Sequence, residues 1–359
     1  MRKIFKTLIA AAAFLGVLAA VRGVFNKAGS YIEDTMAVEI LESGVVHAAQ
    51  QSVCSKSIAC WGDSITFGLG YGEAEVEEDG KLLDISNWTY PSTLEYYTGL
   101  DVYNLGVSGE TSYEIAVRAA GIKMYIGKQI TLKGSNSAPV VIVDENGENV
   151  ELDNFNGYGS DNGEVENLVY IGEDLFQILK QDGKLYIRRY GNDLKGSVKL
   201  KKGMQIVTKA AHDVNADVMI IQMGSNGGWS SYDELIRQYR AMIDNLGVKK
   251  YIIVGDTDNP VQSYDSWHYD SDEEVGISDT VWEAALREAF GEHFINMRTY
   301  ILQYGMDIAG LEPTQEDIAD LEQGRIPAQL KDDYTHFNSY GYYVMGKSVY
   351  SKGIELGYW

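Results

Sequence analysis

Several residues in this sequence have the types and positions that nucleophilic catalysis requires. Ser64 follows a short apolar run, Ile58 to Trp61, which is typical of a buried parallel strand and is interrupted abruptly at Gly62. A serine just beyond such a strand lies at the rim of the sheet, where open α/β folds bind their ligands. Gly-Asp-Ser is also a common turn sequence. The interpretation of Ser64 as a nucleophile therefore depends on partners elsewhere in the chain.

His336 and Asp333 are the predicted base and orienting group. The serine hydroxyl is a poor nucleophile at neutral pH and needs a base, which His336 would provide through one ring nitrogen. The carboxylate of Asp333, three residues earlier, would hold the other nitrogen and fix the tautomer. Asp332 would replace Asp333 if the turn were wound differently, although the spacing favours Asp333. Asp63 is interpreted as a residue that stabilises the turn.

A tetrahedral intermediate on Ser64 also needs donors for its oxyanion. The predicted donors are the backbone N–H groups of Ser64 and Gly109 and the side-chain amide of Asn226. Gly109 and Asn226 follow the apolar runs Asp101 to Leu105 and Ala216 to Met223, which predict two further strands. Loops after parallel strands gather along one edge of a sheet, so these donors can meet Ser64 although they are distant in sequence.

The elements that must position these residues alternate between strand and helix. Two more strands are predicted at Tyr251 to Val254 and Phe294 to Met297. Helices are predicted at Tyr90 to Tyr97, Thr111 to Gly121, Tyr232 to Leu246, Thr280 to Phe290 and Asn338 to Lys352. This alternation predicts an α/β fold. The Gly-rich and then acidic segment from Phe67 to Trp88 is expected to be a long exposed loop.

Residues 122–207 differ from the rest of the chain. Short β-branched or aromatic runs alternate there with turn signals, and Asn146-Gly147 and Asp182-Gly183 lie where tight hairpin turns would form. We therefore predict an inserted all-β domain at 122–207, between the α/β segments 28–121 and 208–359. Gating of the substrate, contact with carbohydrate and a purely structural role all remain open for it.

Four blocks of this sequence resemble the SGNH (GDSL-type) hydrolase superfamily, and they occur in the family's order. They are GDSIT at 62–66, NLGVSGETS at 104–112, GSN at 224–226 and DYTH at 333–336. The resemblance covers residues 56–121 and 208–359 and omits the β insert. It implies a three-layer α/β/α, flavodoxin-like fold, with Ser64 as nucleophile. It also implies Gly109 and Asn226 as the other oxyanion residues and Asp333 with His336 as the remaining pair of a catalytic triad.

Composition and charge limit the classes of ligand and cofactor that this protein is expected to bind. The formal net charge of −22 argues against binding to nucleic acid or to an anionic membrane surface, whereas a neutral small-molecule or glycan ester would be tolerated. Two cysteines make no disulfide framework, and Cys60 is expected to be a small buried hydrophobe. Asp256 and Asp258 lack the glycine and terminal glutamate of a calcium loop. The remaining histidines are scattered rather than clustered as zinc ligands, and they are His47, His212, His268 and His293. No metal or other cofactor is expected.

The first 27 residues are predicted to be a signal peptide or an N-terminal anchor. Arg2, Lys3 and Lys6 precede an uncharged, mostly apolar run from Thr7 to Val21, which is short for a membrane span and suits a secretory signal. The protein is therefore expected to be exported, either secreted or anchored at the cell surface. Residues 28–55 have partly helical spacing, and the oligomeric state stays open.

The combined prediction is a serine esterase that hydrolyses short-chain acyl esters, including carbohydrate O-acetyl esters, through an acyl-Ser64 intermediate. One alternative is an acyltransferase that uses the same triad with a sugar hydroxyl as acceptor. The other is a catalytically inert surface protein that binds glycan. Four tryptophans near the active edge could form a sugar or acyl platform, although packing is the default role of each, and they are Trp61, Trp88, Trp229 and Trp267.

Overall fold

The computed structural model describes residues 57–152, 167–192, 194–270 and 275–359. The predicted signal or anchor and the partly helical segment that follows it, including His47 and Cys54, lie outside the described residues. None of the helices in the described ranges is long and apolar enough to cross a membrane.

Strands and helices follow one another as listed here in chain order. The strands are β1 (Ser57–Gly62), β2 (Glu75–Glu78), β3 (Lys81–Asp84), β4 (Asp101–Gly106), β5 (Met124–Ile126), β6 (Ile130–Lys133), β7 (Ala138–Pro139), β8 (Ile142–Val143), β9 (Asn167–Ile171), β10 (Asp174–Gln181), β11 (Lys184–Arg189), β12 (Ser197–Leu200), β13 (Gln205–Thr208), β14 (Val218–Gln222), β15 (Lys250–Val254) and β16 (Phe294–Ile295). The helices are α1 (Ser64–Phe67), α2 (Tyr90–Thr98), α3 (Ser112–Arg118), α4 (Lys209–Asp213), α5 (Tyr232–Leu246), α6 (Val281–Phe290), α7 (Met297–Ala309), α8 (Gln315–Glu322) and α9 (Ser339–Glu355).

A five-stranded sheet in the order β16-β15-β14-β1-β4 forms the centre of the fold, and every neighbouring pair in it is parallel. Numbered by their order in the chain, these strands have the flavodoxin-like order 2-1-3-4-5. The order reverses between β1 and β14, so the loops after these two strands diverge and leave a crevice at their carboxyl ends. The predicted three-layer α/β/α, flavodoxin-like fold is confirmed.

Alternate residues of β1 pack on opposite faces of the sheet, as a doubly covered parallel strand requires. Ile58 and Cys60 join a core with residues of α2, α7 and α9. Ala59 and Trp61 join a second core with residues of α3, α5 and α6. Cys60 is fully buried, and this burial raises the pKa of its thiol. It is thus a core hydrophobe, as the sequence predicted.

The predicted all-β insertion is also confirmed. Strands β5 to β13 lie between α3 and α4, and most of them form a seven-stranded sheet that is antiparallel throughout. At one hairpin, Asp182 and Gly183 have φ values of 50° and 71°, as the predicted tight turn requires. The hydroxyl of Thr208 donates to the carbonyl of Arg118 at 2.5 Å. The chain therefore leaves and rejoins the α/β part at nearly the same point.

The predicted exposed loop from Phe67 to Trp88 is wrong in part, because β2 and β3 form an antiparallel hairpin within it. Asp79 and Gly80 make its turn, with φ values of 52° and 72°. Val76 is buried in this hairpin, and Ile85, just beyond it, is buried with it in a small core that includes a residue of α9. Apolar residues that alternate with the charged ones thus outweigh the acidic composition.

Helices α1, α4, α7 and α8 were not among the predicted elements. Asn296 caps helix α7, because its side chain accepts from the N–H of Thr299. Its residues Met297 and Ile301 are buried against the sheet. The strand that was predicted to extend to Met297 ends at Ile295, since the Asn296 cap starts the helix there.

Candidate active site

Ser64 begins the short helix α1, immediately beyond the carboxyl end of β1. Asp63 caps this helix, because its carboxylate accepts from the N–H of Ile65 at 3.0 Å. This is the turn-stabilising role that the sequence predicted for Asp63. The cap fixes the backbone at Ser64, whose side chain lies at the crevice between β1 and β14.

The structure brings Ser64, His336 and Asp333 together in one hydrogen-bonded line. The distance from Ser64 Oγ to His336 Nε2 is 2.9 Å, across 272 residues of sequence. The distance from His336 Nδ1 to Asp333 Oδ2 is 2.8 Å. A carboxylate can only accept, so the Nδ1 proton is donated to Asp333 and Nε2 is left to accept from the serine hydroxyl. This is the geometry that a serine needs for activation by a base.

Asp333 is held in place by the turn that it starts. Its Oδ1 accepts from the backbone N–H groups of Thr335 and His336, at 2.8 and 2.7 Å. Burial raises the pKa of Asp333, but the His336 ring and these two N–H donors outweigh it and lower the pKa to about 2. Its carboxylate is therefore ionised at neutral pH. Among the described residues, Asp332, the alternative orienting residue, makes no hydrogen bond to the His336 ring, and its N–H donates to the His336 carbonyl at 2.9 Å.

The three predicted oxyanion residues line the same cleft as Ser64 and His336. Gly109 has a φ of 80°, a conformation that side chains other than glycine rarely adopt. Among the described residues, no hydrogen bond engages the backbone N–H of Ser64 or of Gly109. The Asn226 amide donates one hydrogen to the Glu110 carbonyl at 3.1 Å, which leaves its second hydrogen for a ligand.

The cleft has a volume of about 310 Å³ and is open to solvent. Two of its lining residues, Leu69 and Gln262, were not singled out from the sequence. Asp258 was considered there only as a calcium ligand, and Tyr334 only as part of the DYTH block. Leu69 and Tyr334 are 44% and 74% exposed, so the rim beside Ser64 is partly apolar. Leu69 and Gln262 lie where the course of the chain depends on tertiary packing, and no local sequence pattern marks them.

A buried ion pair involves Glu110, the residue that directly follows Gly109. The Arg118 guanidinium donates to both carboxylate oxygens of Glu110, at 3.0 and 2.8 Å, and both side chains are almost completely buried. Burial raises the pKa of Glu110 to about 7, and the Arg118 charge limits that rise. Arg118 also donates to the carbonyls of Gly62 and Leu105, at 3.3 and 2.8 Å. The pair was missed because charged residues are usually expected at the surface.

Three further carboxyl groups lie close to the triad. Burial raises the pKa of Asp63 to about 7, with a contribution from the neighbouring Asp256. Burial also raises the pKa of Asp256 well above its usual value, and Ser225 Oγ donates to it at 2.7 Å. For Asp258, burial raises the pKa to about 6 despite the nearby Lys331. In the described ranges, no cluster of three or more His, Cys, Asp or Glu could hold a metal ion.

The other described histidines lie away from Ser64. His212 pairs with Asp213 at 2.7 Å, and His293 lies 3.0 Å from the Tyr358 hydroxyl. His268 stacks on Tyr232, with ring centroids 5.8 Å apart. None of the three lines the cleft.

The four tryptophans divide into core and surface residues. Trp61 and Trp229 are buried, at 1% and 4% exposure. Trp88 is half-buried and packs on Tyr96, with ring centroids 4.9 Å apart. Trp267 is 59% exposed, so it alone of the four is free to act as a platform.

No model of a protein family matches the sequence, and no curated protein is similar to it. Solved structures to which the chain is similar include a protein from Desulfitobacterium hafniense DCB-2 described as a lipolytic protein of the G-D-S-L family. That match has 11% identity and a TM-score of 0.39, and it covers 83% of this chain and 99% of the other. Another is a carbohydrate esterase family 2 enzyme with a carbohydrate binding domain from Corynascus thermopiles (Myceliophthora fergusii). Its match has 15% identity and a TM-score of 0.34, and it covers 84% of this chain and 67% of the other. With TM-scores below 0.5, neither likeness enters the argument for a function.

Proposed function

We propose that this protein is a serine hydrolase of carboxylic esters that works through an acyl-Ser64 intermediate. The observation that carries this proposal is the hydrogen-bonded line from Ser64 Oγ through His336 to Asp333, with distances of 2.9 and 2.8 Å. A serine, a base and an orienting carboxylate in such a line are the parts that acyl transfer requires.

In the first half of the reaction, His336 Nε2 accepts the Ser64 proton as Oγ attacks the ester carbonyl carbon. The negative charge that develops on the carbonyl oxygen would be stabilised by the N–H groups of Ser64 and Gly109 and by the free amide hydrogen of Asn226. When the tetrahedral intermediate collapses, His336 gives its proton to the leaving alcohol. The acyl group stays on Ser64.

In the second half, His336 accepts a proton from water as the water oxygen attacks the acyl carbon. Collapse of the second intermediate returns a proton to Ser64 and releases the carboxylic acid. Throughout both halves, the ionised Asp333 stabilises the charged imidazole and keeps Nε2 facing the serine. The exposed Leu69 and Tyr334 at the rim support an acyl group of modest size as the ligand on that side of the cleft.

The test is active-site labelling with a fluorophosphonate, combined with turnover of 4-nitrophenyl acetate. Wild-type protein is expected to be labelled at Ser64 and to hydrolyse the ester, whereas Ser64→Ala should lose both while its circular dichroism spectrum is unchanged. Ser351→Ala, at an exposed serine of α9, is the matched control and should keep both. If Ser64→Ala were labelled or turned over the ester as well as the wild type, the proposal would be contradicted.

A sugar hydroxyl could replace water in the second half, which would make the protein an acyltransferase. Product analysis with and without added methyl glucoside distinguishes the two reactions. Free acetate as the only product supports hydrolysis, while formation of acetylated methyl glucoside supports transfer. No labelling and no turnover of any ester would instead favour an inert binding protein.

A further inference from the structure

A second pocket, of about 390 Å³, lies where the α/β part meets the β insert. Its volume is within the range of about 300–1,000 Å³ that small-molecule sites occupy. The α/β part contributes residues at the start of α3 and after β14, and the insert contributes the segment after β8. The lining residues are Thr111, Tyr113, Glu114, Asn149, Glu151 and Gly228.

This pocket begins beside the oxyanion residues. Thr111 is two residues after Gly109, and Gly228 is two residues after Asn226, so each lies within about 7 Å of the oxyanion residue along the chain. The two segments are joined directly, because the N–H and the hydroxyl of Ser112 both donate to the Gly227 carbonyl, at 2.9 and 3.0 Å. An intact ester whose carbonyl carbon lies at Ser64 Oγ could therefore extend its alcohol part into the pocket before that alcohol leaves.

Close packing at Gly228 forms part of the pocket wall. A Cβ at this position would lie 2.7 Å from the Thr111 Cβ and 2.9 Å from the Tyr113 nitrogen. Only glycine lets the segment after β14 approach α3 this closely. The same contact fixes the backbone of Tyr113 relative to the loop that carries Asn226.

The pocket offers polar groups that the described part of the chain leaves unpaired. Within that part, no hydrogen bond engages the Tyr113 hydroxyl, the Asn149 amide or the Glu151 carboxylate. The Tyr113 ring packs on the core of the insert, which holds it in place. Glu114 differs, because its carboxylate accepts from Thr111 and caps α3. A phenol, an amide and a carboxylate around an aromatic ring match the hydroxyl groups and apolar ring face of a sugar.

The charge of the pocket selects among sugars. Among the described residues that line it there is no lysine or arginine, and two of them are glutamates. Burial raises the pKa of Tyr113, and the carboxylates of Asp144, Glu151 and Glu148 raise it further, so several negative charges act on this ring. A uronic acid or a phosphorylated sugar would be repelled there.

We propose that this pocket binds the alcohol part of the ester, as a sugar residue that carries no negative charge, through Tyr113, Asn149 and Glu151. The proposal rests on the esterase function proposed above and adds to it a substrate class and a role for the β insert. Neutral and amino sugars are accepted, and the pocket orients their acylated hydroxyl toward Ser64.

The test compares ester selectivity. The variants are Tyr113→Phe, Asn149→Ala and Glu151→Gln, and the matched control is Glu173→Gln, at an exposed turn between β9 and β10. The substrates are 4-nitrophenyl acetate and the 6-O-acetyl ester of methyl glucoside. Each pocket variant is expected to lower kcat/KM for the sugar ester, relative to that for 4-nitrophenyl acetate, by about three- to tenfold, chiefly through KM. Glu173→Gln should leave this ratio unchanged.

A charged substrate and a direct binding measurement complete the test. Glu151→Gln should raise kcat/KM for an acetylated methyl glucuronide relative to the glucoside ester, since it removes a repulsive charge. Saturation-transfer NMR with methyl glucoside reports binding without turnover, and Tyr113→Phe should weaken its signal.

The outcomes separate the two proposals. Pocket variants that match Glu173→Gln in both measurements overturn the sugar pocket, even if hydrolysis still depends on Ser64. If no ester is hydrolysed, the proposed function fails, and the NMR signal alone then decides whether the pocket binds a sugar.

Discussion

Glu110 and Arg118 form an ion pair with 0% and 1% side-chain exposure, and Glu110 directly follows Gly109, a predicted oxyanion donor, in the chain. Arg118 also donates to the carbonyls of Gly62 and Leu105, near the ends of β1 and β4. One side chain thus joins the segment that carries Gly109 to the strand that leads to Ser64. Removal of a partner from a buried pair leaves an uncompensated charge, which costs about 3–5 kcal/mol.

Arg118→Met is therefore expected to lower the free energy of unfolding by about 3–5 kcal/mol at pH 8, measured by urea denaturation. Arg287→Met is the matched control, because Arg287 pairs with Asp279 and is 51% exposed, and its loss should cost at most about 1 kcal/mol. The cost of Arg118→Met should be smaller at pH 5, where the unpaired Glu110 can bind a proton. Equal costs for the two arginines would contradict the structural role of the pair.

Asp333→Asn is expected to reduce kcat for 4-nitrophenyl acetate by about three to four orders of magnitude, because an amide no longer fixes the His336 tautomer. Asp332→Asn is the matched control and should keep kcat within about twofold, since the Asp332 carboxylate does not contact the ring. If Asp332→Asn proved the more damaging change, the assignment of the orienting carboxylate would have to be reversed.

If Asn226 is an oxyanion donor, Asn226→Ala is expected to lower kcat by about two to three orders of magnitude, as the loss of one such donor does in serine hydrolases. KM should change far less, because the donor acts mainly on the charge that develops in the transition state. Asn136→Ala, at an exposed position of the insert, serves as the control. A change in KM alone would indicate a substrate-binding role instead.

Asp63→Asn is expected to make the protein more stable than wild type as the pH rises. The pKa of Asp63 is about 7 in the folded protein, against an ordinary value of 3.8, so the unfolded chain loses this proton first. Wild-type stability therefore falls between about pH 4 and 7, by roughly 1.4 kcal/mol for each unit of pKa difference. Asparagine keeps the oxygen that caps α1 and does not titrate.

Urea denaturation of wild type and Asp63→Asn at pH 4.5 and 7.5 checks this prediction. The stability difference in favour of the variant should grow at the higher pH by up to several kcal/mol. A stability difference between the variant and the wild type that is the same at both pH values would show that Asp63 is ionised in the folded protein.

Much of the central fold was predictable because strands such as β1, β14 and β15 are mostly apolar runs that end close to a glycine. A run such as Val218–Gln222 is buried on both faces and has few alternatives to a central parallel strand. Once the order of parallel strands is given, the loops after β1, β4 and β14 must lie at one edge. The meeting of Ser64 with Gly109 and Asn226 follows from this topology, whereas His336 lies on a later loop, just before α9.

The remaining features depend on tertiary contacts that leave no local pattern. The hairpin of β2 and β3 was obscured by its acidic residues, although Val76 and Ile85 bury its apolar side. Glu110 and Arg118 are charged residues whose burial is explained only by each other and by the carbonyls around them. Gln262 and Tyr334 reach the cleft on irregular loops, where sequence predicts turns but not their paths.

The bond between Thr208 and Arg118 brings the two ends of the β insert together at a single junction. Closure entropy grows only slowly with loop length, so segments of very different size could occupy this junction at nearly the same thermodynamic cost. Segments of other sequence and length could thus replace the β insert at this junction without a change in Ser64 or in β1.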